Sequence, residues 1–476
     1  MLLTELLNQA GMDACVATDV AVMGIASDSR TVVAGDVFVA IGGTAADGAT
    51  FITDARAKGA VSVIGTDRAA DVQVPDARAA VAKLAGAFYA PAPQFVFGIT
   101  GTDGKTSTAD FVRQLAGMLG KQAASLGTLG LRSPYQNINA AFPANNTSPE
   151  PVLLHKTLQQ LAAAGVTHVA MEASSHGLDQ KRMEGVMFAA AAYTNMTRDH
   201  LDYHGTVEAY AAAKARLFAE LLPTGATAIL NRDDAQFDAL QKICKARGIG
   251  VKSFGTHLHA DYRIALVTPH AKGLDAKIVL DGVQHHVSLP LYGAFQLSNM
   301  LAAMGLMAAT GVPMGEMVAL LPKLEGVPGR LEKIAEKNGA PVFVDYAHTP
   351  AALANILKTL RQHTQNKLHV VFGAGGDRDA GKRPEMGRAA SELADVVVVT
   401  DDNPRSEDPA VIRAAIMEAA PGAMNVAGRD EAIRAAVQRL NHGDVLVVAG
   451  KGHETSQIIG SKVIHFSDAE QIREAL

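Results

Sequence analysis

The sequence predicts an α/β protein of three domains. The central one is a phosphate-loop domain with a mostly parallel sheet and a small antiparallel piece, and the C-terminal one is Rossmann-like. Three observations carry this expectation. Apolar runs of strand length alternate with segments of helical spacing through most of the chain, the pattern of parallel sheets covered by helices. The stretch Gly98-Ile99-Thr100-Gly101-Thr102-Asp103-Gly104-Lys105-Thr106-Ser107 lies between Phe95-Val96-Phe97 and a segment in which Phe111, Val112, Leu115, Met118 and Leu119 recur at helical spacing, so it reads as strand, glycine loop, helix. The 476 residues exceed one ordinary core, and at ~150 residues per domain they suggest about three. Punctuation at Tyr89-Ala90-Pro91-Ala92-Pro93 and at Gly326-Val327-Pro328-Gly329 sets the expected boundaries, giving 1–90, 91–328 and 329–476.

In the first segment, Asp28-Ser29-Arg30 lies between short strand-like runs, and Asp36 to Gly43 leads into Thr44-Ala45-Ala46-Asp47-Gly48. Serine and arginine on such loops suit a diphosphate or a uracil, and equally suit ordinary turn chemistry. In the phosphate loop, Gly101 and Gly104 let the backbone turn its N–H groups inward and the helix start adds its dipole. Lys105 can reach β- and γ-phosphates, and the Thr106 hydroxyl can hold Mg²⁺. Further on, Val166 to Met171 runs into Glu172-Ala173-Ser174-Ser175-His176-Gly177, and Phe188 to Tyr193 runs into Thr194-Asn195-Met196-Thr197-Arg198-Asp199-His200-Leu201-Asp202. Ligands of parallel sheets gather outside the carboxyl ends of the strands, so Glu172 and His200 are expected to face the phosphates. Asp281-Gly282 between Ala276–Leu280 and Val283–Leu289 is a hairpin signature and supplies the antiparallel piece.

The last segment repeats the alternation. Val342-Phe343-Val344 leads to Asp345-Tyr346-Ala347-His348, and His369 to Phe372 leads to Gly373 through Arg378. Val396 to Val399 leads to Thr400-Asp401-Asp402-Asn403-Pro404-Arg405, and Val445 to Val448 leads to Ala449 through Glu454. Four strand ends with polar clusters predict a second crevice, suited to a charged small molecule. No Gly-Lys-Thr opens a helix here, which disfavours a second nucleotide site.

Hydrophobic content of 48%, charged content of 19% and a formal net charge of −5 describe a soluble globular protein and argue against a general binder of nucleic acid or anionic membrane. An anionic ligand must therefore meet local positive groups. Cys15 and Cys244 are the only cysteines, so neither a disulfide framework nor a cysteine metal site is expected. The N-terminus has no basic flank and carries Glu5 and Gln9, and the longest apolar candidate, Val186 to Tyr193, falls short of the ~18 residues of a membrane span. A cytoplasmic protein is the expectation.

Taken in order, Asp28-Ser29-Arg30, Gly101 to Ser107, Asn146-Thr147-Ser148, Glu172 to Leu178, Arg198-Asp199-His200-Leu201-Asp202, Asp345-Tyr346-Ala347-His348-Thr349-Pro350 and Gly450 to Glu454 resemble the motifs of the ATP-dependent Mur ligases of bacterial cell-wall synthesis, almost end to end. The resemblance implies an ATP- and Mg²⁺-dependent amide ligase acting on UDP-N-acetylmuramoyl-L-alanyl-D-glutamate through an acyl phosphate. Asp402-Asn403-Pro404-Arg405 is similar to the signature of members that add meso-2,6-diaminopimelate rather than L-lysine.

By the same resemblance, the first domain holds the UDP moiety around Ser29 and the Thr44 to Asp47 loop. Gly101, Thr102, Asp103, Gly104, Lys105, Thr106 and Ser107 bind the ATP phosphates, while Asn299, Arg330 and Asp345 contact the nucleotide. Asn146, Thr147, Ser148, Ser174, Gln180 and Arg182 contact the muramoyl-dipeptide. Lys105, Glu172, His200 and Lys214 form the reacting centre. Thr106 and Glu172 hold one Mg²⁺, and Glu172, His200 and carbamylated Lys214 hold a second. Without the resemblance, a lysine on the helical segment around Lys214 reads as a solvated face, and His176 reads as structural.

The third domain is implied to bind the incoming amino acid and to swing toward the other two. Arg405 can pair bidentately with the extra carboxylate of diaminopimelate. Arg378 binds a carboxylate, Asn403 hydrogen-bonds, Glu454 accepts from an ammonium, and Gly450 allows close backbone approach, with Asp402 and Pro404 completing the signature. Two positions depart from the family pattern: Asp103 and Gln296 stand where asparagine is usual. A folylpolyglutamate synthetase shares the phosphate loop and the acyl-phosphate logic but lacks the UDP-binding module that Asp28-Ser29-Arg30 suggests. A non-catalytic nucleotide-binding regulator would need no Mg²⁺ cluster. A monomer is the default.

Overall fold

The computed structural model describes residues 1–13, 16, 18–42, 48–142 and 146–476. Cys15 and the Thr44 to Asp47 loop lie outside the described residues. The backbone groups into two compact units, Met1–Arg263 with Ser298–Met317, and Ile264–Leu297 with Val318–Leu476.

The first unit opens with β1 (Gly24–Ala26), β2 (Asp36–Ala40), β3 (Ser62–Gly65) and β4 (Val72–Gln73), a parallel sheet in chain order. The helix Ala77–Phe88 buries Ala80, Val81, Leu84 and Ala85 in the same core as Val37, Val39 and Ile64 of the sheet. Asp76 caps the helix by accepting from Ala79 N.

The larger sheet of this unit contains β5 (Phe95–Thr100), β6 (Ala123–Gly127), β7 (Gly130–Arg132), β8 (His168–Glu172), β9 (Phe188–Tyr193), β10 (Thr227–Asn231) and β11 (Gly250–Gly255), in the order β7-β6-β8-β5-β9-β10-β11. Every neighbouring pair is parallel except β6 with β7. The strand expected from Val166 begins at His168, because Val166 N is spent on Leu161 O in closing the preceding helix. β5 is central, and the chain leaves it toward β6 on one side and returns as β9 on the other. That reversal opens a crevice at the carboxyl ends of β5, β8 and β9.

β12 (Tyr262–His270) pairs in parallel with β11 at Phe254–Tyr262 and carries the chain into the second unit. There β13 (Gly273–Leu280) and β14 (Val283–Leu289) form the expected hairpin. Asp281 and Gly282 both take positive φ, 47° and 87°, as a two-residue turn that follows the strand twist requires.

The remaining sheet comprises β15 (Glu332–Lys337), β16 (Ala340–Asp345), β17 (Leu368–Phe372), β18 (Val396–Val399), β19 (Met424–Asn425) and β20 (Val445–Ala449), ordered β15-β16-β20-β17-β18-β19 and parallel except for β15 with β16. The four predicted strands are thus its contiguous centre, and their polar ends open together. A last hairpin, β21 (Ser456–Ile459) with β22 (Lys462–His465), precedes the helix Asp468–Glu474. Among the described residues no helix is long and apolar enough to cross a membrane.

Candidate active site

The phosphate loop is pressed between two side chains. A Cβ on Gly101 (φ 141°) would strike Thr194 Oγ1, and one on Gly104 (φ 84°) would strike Asn299 Oδ1, so glycine is required twice. Asn195 fixes the turn from outside: its carbonyl accepts from Thr102 N at 2.8 Å and its Oδ1 accepts from Asp103 N at 3.0 Å. Asp103, the departure from the family pattern, is anchored through its backbone. Its carbonyl accepts from Thr194 Oγ1 and Asn195 Nδ2, and its residue surface stays exposed.

Two lysines meet on one oxygen of this loop. Lys105 Nζ donates to Gly101 O at 2.9 Å and to Thr102 O at 2.7 Å, while Lys214 Nζ donates to Gly101 O at 2.6 Å. Lys214 is 2% exposed, with its Nζ 4.3 Å from the centre of the Tyr210 ring. Burial, and then the charge of Lys105, push its pKa down to about 6, against the pull of Asp199 and Asp103. The solvated face that the helical segment suggested is therefore a buried, neutral amine near pH 7. Tyr210 OH and Thr102 Oγ1, 3.1 Å apart, tie this helix to the loop.

Glu172 ends β8 opposite Ile99 of β5, where the loop begins. Its carboxylate is 1% exposed and accepts from Thr128 N at 2.8 Å and Thr128 Oγ1 at 3.2 Å. Sequence reasoning missed Thr128, which follows β6 and carries no signal of its own. Thr106 and Ser107 are buried at the helix start. His200 takes a left-handed φ of 50°, with its ring 6.0 Å from that of Tyr210 and 4.9 Å from that of His176. His176 packs on Tyr203 at 4.2 Å, a structural setting. Among the described residues no group of three His, Cys, Asp or Glu is arranged to hold a metal. The expected metal set contains only two such side chains, Glu172 and His200, and draws its remaining donors from Thr106 and from Lys214.

Four of the expected muramoyl-dipeptide contacts, Ser148, Ser174, Gln180 and Arg182, form one network. Ser148 Oγ donates to Glu172 O and lies 3.0 Å from Ser174 Oγ, Arg182 Nη1 donates to Ser148 O at 2.8 Å, and Arg182 Nη2 donates to Gln180 Oε1 at 2.7 Å. Thr147 Oγ1 lies 3.3 Å from Thr128 Oγ1, and Asn146 is exposed. Ser29 is buried, and its carbonyl accepts from Lys58 Nζ at 2.9 Å.

In the second unit, Asp345 ends β16 and receives Leu331 N and Ala347 N, both at 2.8 Å, while burial pushes its carboxyl up from the usual carboxylate range. Arg330 lies over the Tyr346 ring at 5.1 Å, and Gln296 Nε2 donates to Arg330 O at 3.4 Å. Arg405 has a φ of 51°, and its Nη1 donates to Gly376 O at 2.7 Å. Arg378 Nη1 donates to Asp377 O, and Glu454 Oε2 accepts from Asn403 Nδ2 at 3.2 Å. Asp402 and Pro404 are buried, and a Cβ on Gly450 would lie 3.5 Å from Asp402 Oδ2. Sequence reasoning assigned nothing to Lys382, whose Nζ donates to His348 O at 3.0 Å, or to Gln457, whose Nε2 donates to Asp402 O at 2.6 Å.

Family models match three stretches of the chain: "Mur ligase family, catalytic domain" over residues 21–89, "Mur ligase middle domain" over 99–307, and "Mur ligase, glutamate ligase domain" over 329–452. The chain is 47% identical to the UDP-N-acetylmuramoyl-L-alanyl-D-glutamate--2,6-diaminopimelate ligase of Mesorhizobium japonicum, over 100% of this chain and 99% of the relative. It is similar to a solved structure of a ligase of the same name, with 35% identity, a TM-score of 0.74 and coverage of 95% of this chain and 94% of the other. A folylpolyglutamate synthase of Mycobacterium tuberculosis shares the fold at 20% identity and a TM-score of 0.62, covering 78% of this chain and 92% of its own.

Proposed function

The chain belongs to the Mur ligase family, with that family's three α/β domains, and from this premise we propose that it adds meso-2,6-diaminopimelate to UDP-N-acetylmuramoyl-L-alanyl-D-glutamate in peptidoglycan precursor synthesis, with ATP as co-substrate. The domain limits 1–90, 91–328 and 329–476, with roles in binding the UDP moiety, ATP and the amino acid, are part of this reading, as is a cytoplasmic location. The observation that carries it is the pair of lysine nitrogens on Gly101 O. Lys105 brings a positive charge to a glycine loop at a helix start, where a nucleotide triphosphate is the anion that suits it, and the neutral Lys214 amine on the same oxygen is the form able to take up CO₂.

A carboxylate does not react with an amine at useful rates until it has a better leaving group. The D-glutamyl side-chain oxygen attacks the γ-phosphorus, the bond to ADP breaks, and an acyl phosphate forms. The amine of diaminopimelate then attacks the acyl carbon, loses a proton, and expels inorganic phosphate, leaving an amide. Phosphoryl transfer asks the protein for position and charge neutralisation. Lys105 supplies the charge, and the amides at the start of the following helix, on a loop that Asn195 and Thr194 hold in shape, supply the cradle.

The donors fit Mg²⁺: a buried carboxylate held by Thr128, a hydroxyl at Thr106, an imidazole at His200, and at Lys214 a neutral amine, the form that adds CO₂ to become a carbamate. When bound there, Mg²⁺ neutralises phosphate charge and orients the γ-phosphoryl group. Ser148, Ser174, Gln180 and Arg182 orient the dipeptide. Arg405, Arg378, Asn403 and Glu454 receive the diamino acid, the arginines taking carboxylates and Glu454 an ammonium.

The test is phosphate release from ATP, Mg²⁺ and UDP-muramoyl-dipeptide with diaminopimelate, with L-lysine, or with a folate plus glutamate. Release with diaminopimelate at least about a hundredfold above lysine is expected, since a missing bidentate partner leaves a cation unpaired. Equal rates with lysine, or a requirement for folate, overturn it.

A further inference from the structure

Lys451 lies in the Gly450 to Glu454 motif between two glycines, and nothing in the reaction described above uses it. It is nevertheless 0% exposed, a rare state for a lysine. Its Nζ donates to Ser456 O at 2.7 Å and to Asn403 Oδ1 at 3.0 Å, with Glu454 Oε2 at 3.5 Å and Asp402 Oδ1 at 3.6 Å. Three of these partners, Asp402, Asn403 and Glu454, are residues expected to meet the incoming amino acid. The ammonium therefore sits behind that crevice and touches its walls.

The contact with Asn403 has a directional consequence. An amide side chain presents an acceptor on one end and a donor on the other, and its two orientations are nearly isosteric. Asn403 Oδ1 is held by two donors, Lys451 Nζ and Ile458 N, each at 3.0 Å, so Nδ2 must face the other way, toward Glu454 Oε2 at 3.2 Å. β21 and the residue after it reinforce the arrangement: Arg405 N donates to Ile458 O, Gly460 N donates to Arg405 O, and the Gln457 side chain donates through Nε2 to Asp402 O. With Lys451 in place the crevice shows a fixed amide donor beside a carboxylate acceptor, the pattern that matches the carboxylate and ammonium of one amino-acid centre.

We propose that Lys451 is a positioning residue for the amino-acid substrate, fixing the Asn403 amide with its nitrogen toward the crevice and holding the Glu454 carboxylate beside it. The proposal rests on the ligase reading above and assigns Lys451 no contact with substrate.

Phosphate release is measured while diaminopimelate, ATP and UDP-muramoyl-dipeptide are varied in turn, for wild type, Lys451→Met, Asn403→Ala and the double variant. Lys451→Met is expected to raise KM for diaminopimelate about tenfold or more, the effect of losing a charge-assisted bond, and to leave KM for ATP within about twofold. The double variant is expected to cost clearly less than the two single penalties together, because much of what the lysine does passes through the asparagine. Additive penalties, or equal rises in all three KM values, overturn the role.

Asn403→Asp keeps an acceptor for Lys451 and Ile458 N, so it tests the orientation even where Lys451→Met does not fold. It puts an anionic oxygen where the amide nitrogen stood, and is expected to raise KM for diaminopimelate beyond the value for Asn403→Ala. A KM at or below that of Asn403→Ala overturns the orientation. A wild type that releases no phosphate with diaminopimelate overturns the ligase reading itself, whereas an active wild type with an unshifted Lys451→Met overturns only the part given to Lys451.

Discussion

Arg429 and Lys214 are both buried basic side chains, each 2% exposed, and they keep opposite company. Arg429, in the second unit, forms a fork-to-fork pair with Asp468, Nε to Oδ1 and Nη2 to Oδ2 at 2.7 Å each, and spends its other donors on Ala449 O and Asp401 O. Lys214, in the first unit, has one carbonyl, an aromatic face and another lysine nearby. The difference separates two kinds of site. Around β18 and β20 the charges are already matched, so the walls of the crevice proposed for the amino acid are set before a substrate arrives. Around the phosphate loop Lys214 answers its burial by giving up a proton instead of by pairing with a carboxylate in a fork, and stays neutral near pH 7.

The same substitution made at both basic residues should therefore change stability in opposite directions. Arg429→Met leaves Asp468 buried and unpaired and frees the strand ends at Ala449 and Asp401. It is expected to destabilise the protein by about 3 to 5 kcal/mol, the usual cost of breaking a buried pair, read as a lower denaturation midpoint. A midpoint that stays put or rises would make the pair dispensable and erase the contrast.

Much of this contrast could not be read from the chain. The phosphate loop, the Asp281-Gly282 turn and the four strand ends from Asp345 to Glu454 announce themselves because their signals are local: glycine spacing, turn chemistry and apolar runs closed by polar clusters. Burial of a charged side chain is not local. Lys214 looks like any helix lysine until Tyr210 and the Gly101 carbonyl close over it, and Lys451 between two glycines looks like a loop lysine until β21 covers it. Arg429 and Asp468, separated by 39 positions, pair only because the final helix returns to the sheet. Thr128 escaped notice for the same reason, since its hydroxyl matters only where β6 ends beside Glu172.

Lys214→Met gives the opposite sign. The unfolded chain binds a proton at this lysine up to its ordinary value near 10.5, whereas the folded chain releases it above about 6. Between those values the unfolded state holds more protons, so wild-type stability rises with pH across that window. Burying the amine thus costs most at and below pH 6 and nothing above pH 10.5. In CO₂-free buffer Lys214→Met should be more stable than wild type, on the order of 3 kcal/mol at pH 8, with the gain shrinking toward pH 10.5. Gly101 O keeps its bond from Lys105 in the variant. A gain that does not vary with pH would mean the amine is already charged in the fold, and would remove the neutral form on which carbamate formation depends.

The smallest of these effects belongs to Arg405, because it stands between the two cases. Its Nη1 is committed to Gly376 O, its backbone holds a left-handed φ, and the residue is only half-buried. Part of the guanidinium thus belongs to the scaffold, and the rest is available to a carboxylate. Arg405→Ala should raise KM for diaminopimelate about tenfold, equivalent to ~1.4 kcal/mol, while KM for ATP stays within about twofold. Arg405→Lys separates the two parts: it keeps the charge and loses the planar fork, so a bidentate role predicts a KM near that of the alanine variant. Recovery to the wild-type value in Arg405→Lys would mean that charge alone selects the second carboxylate. The crevice would then select by charge alone, and not by the prearranged donor geometry that Arg429 and Lys451 imply.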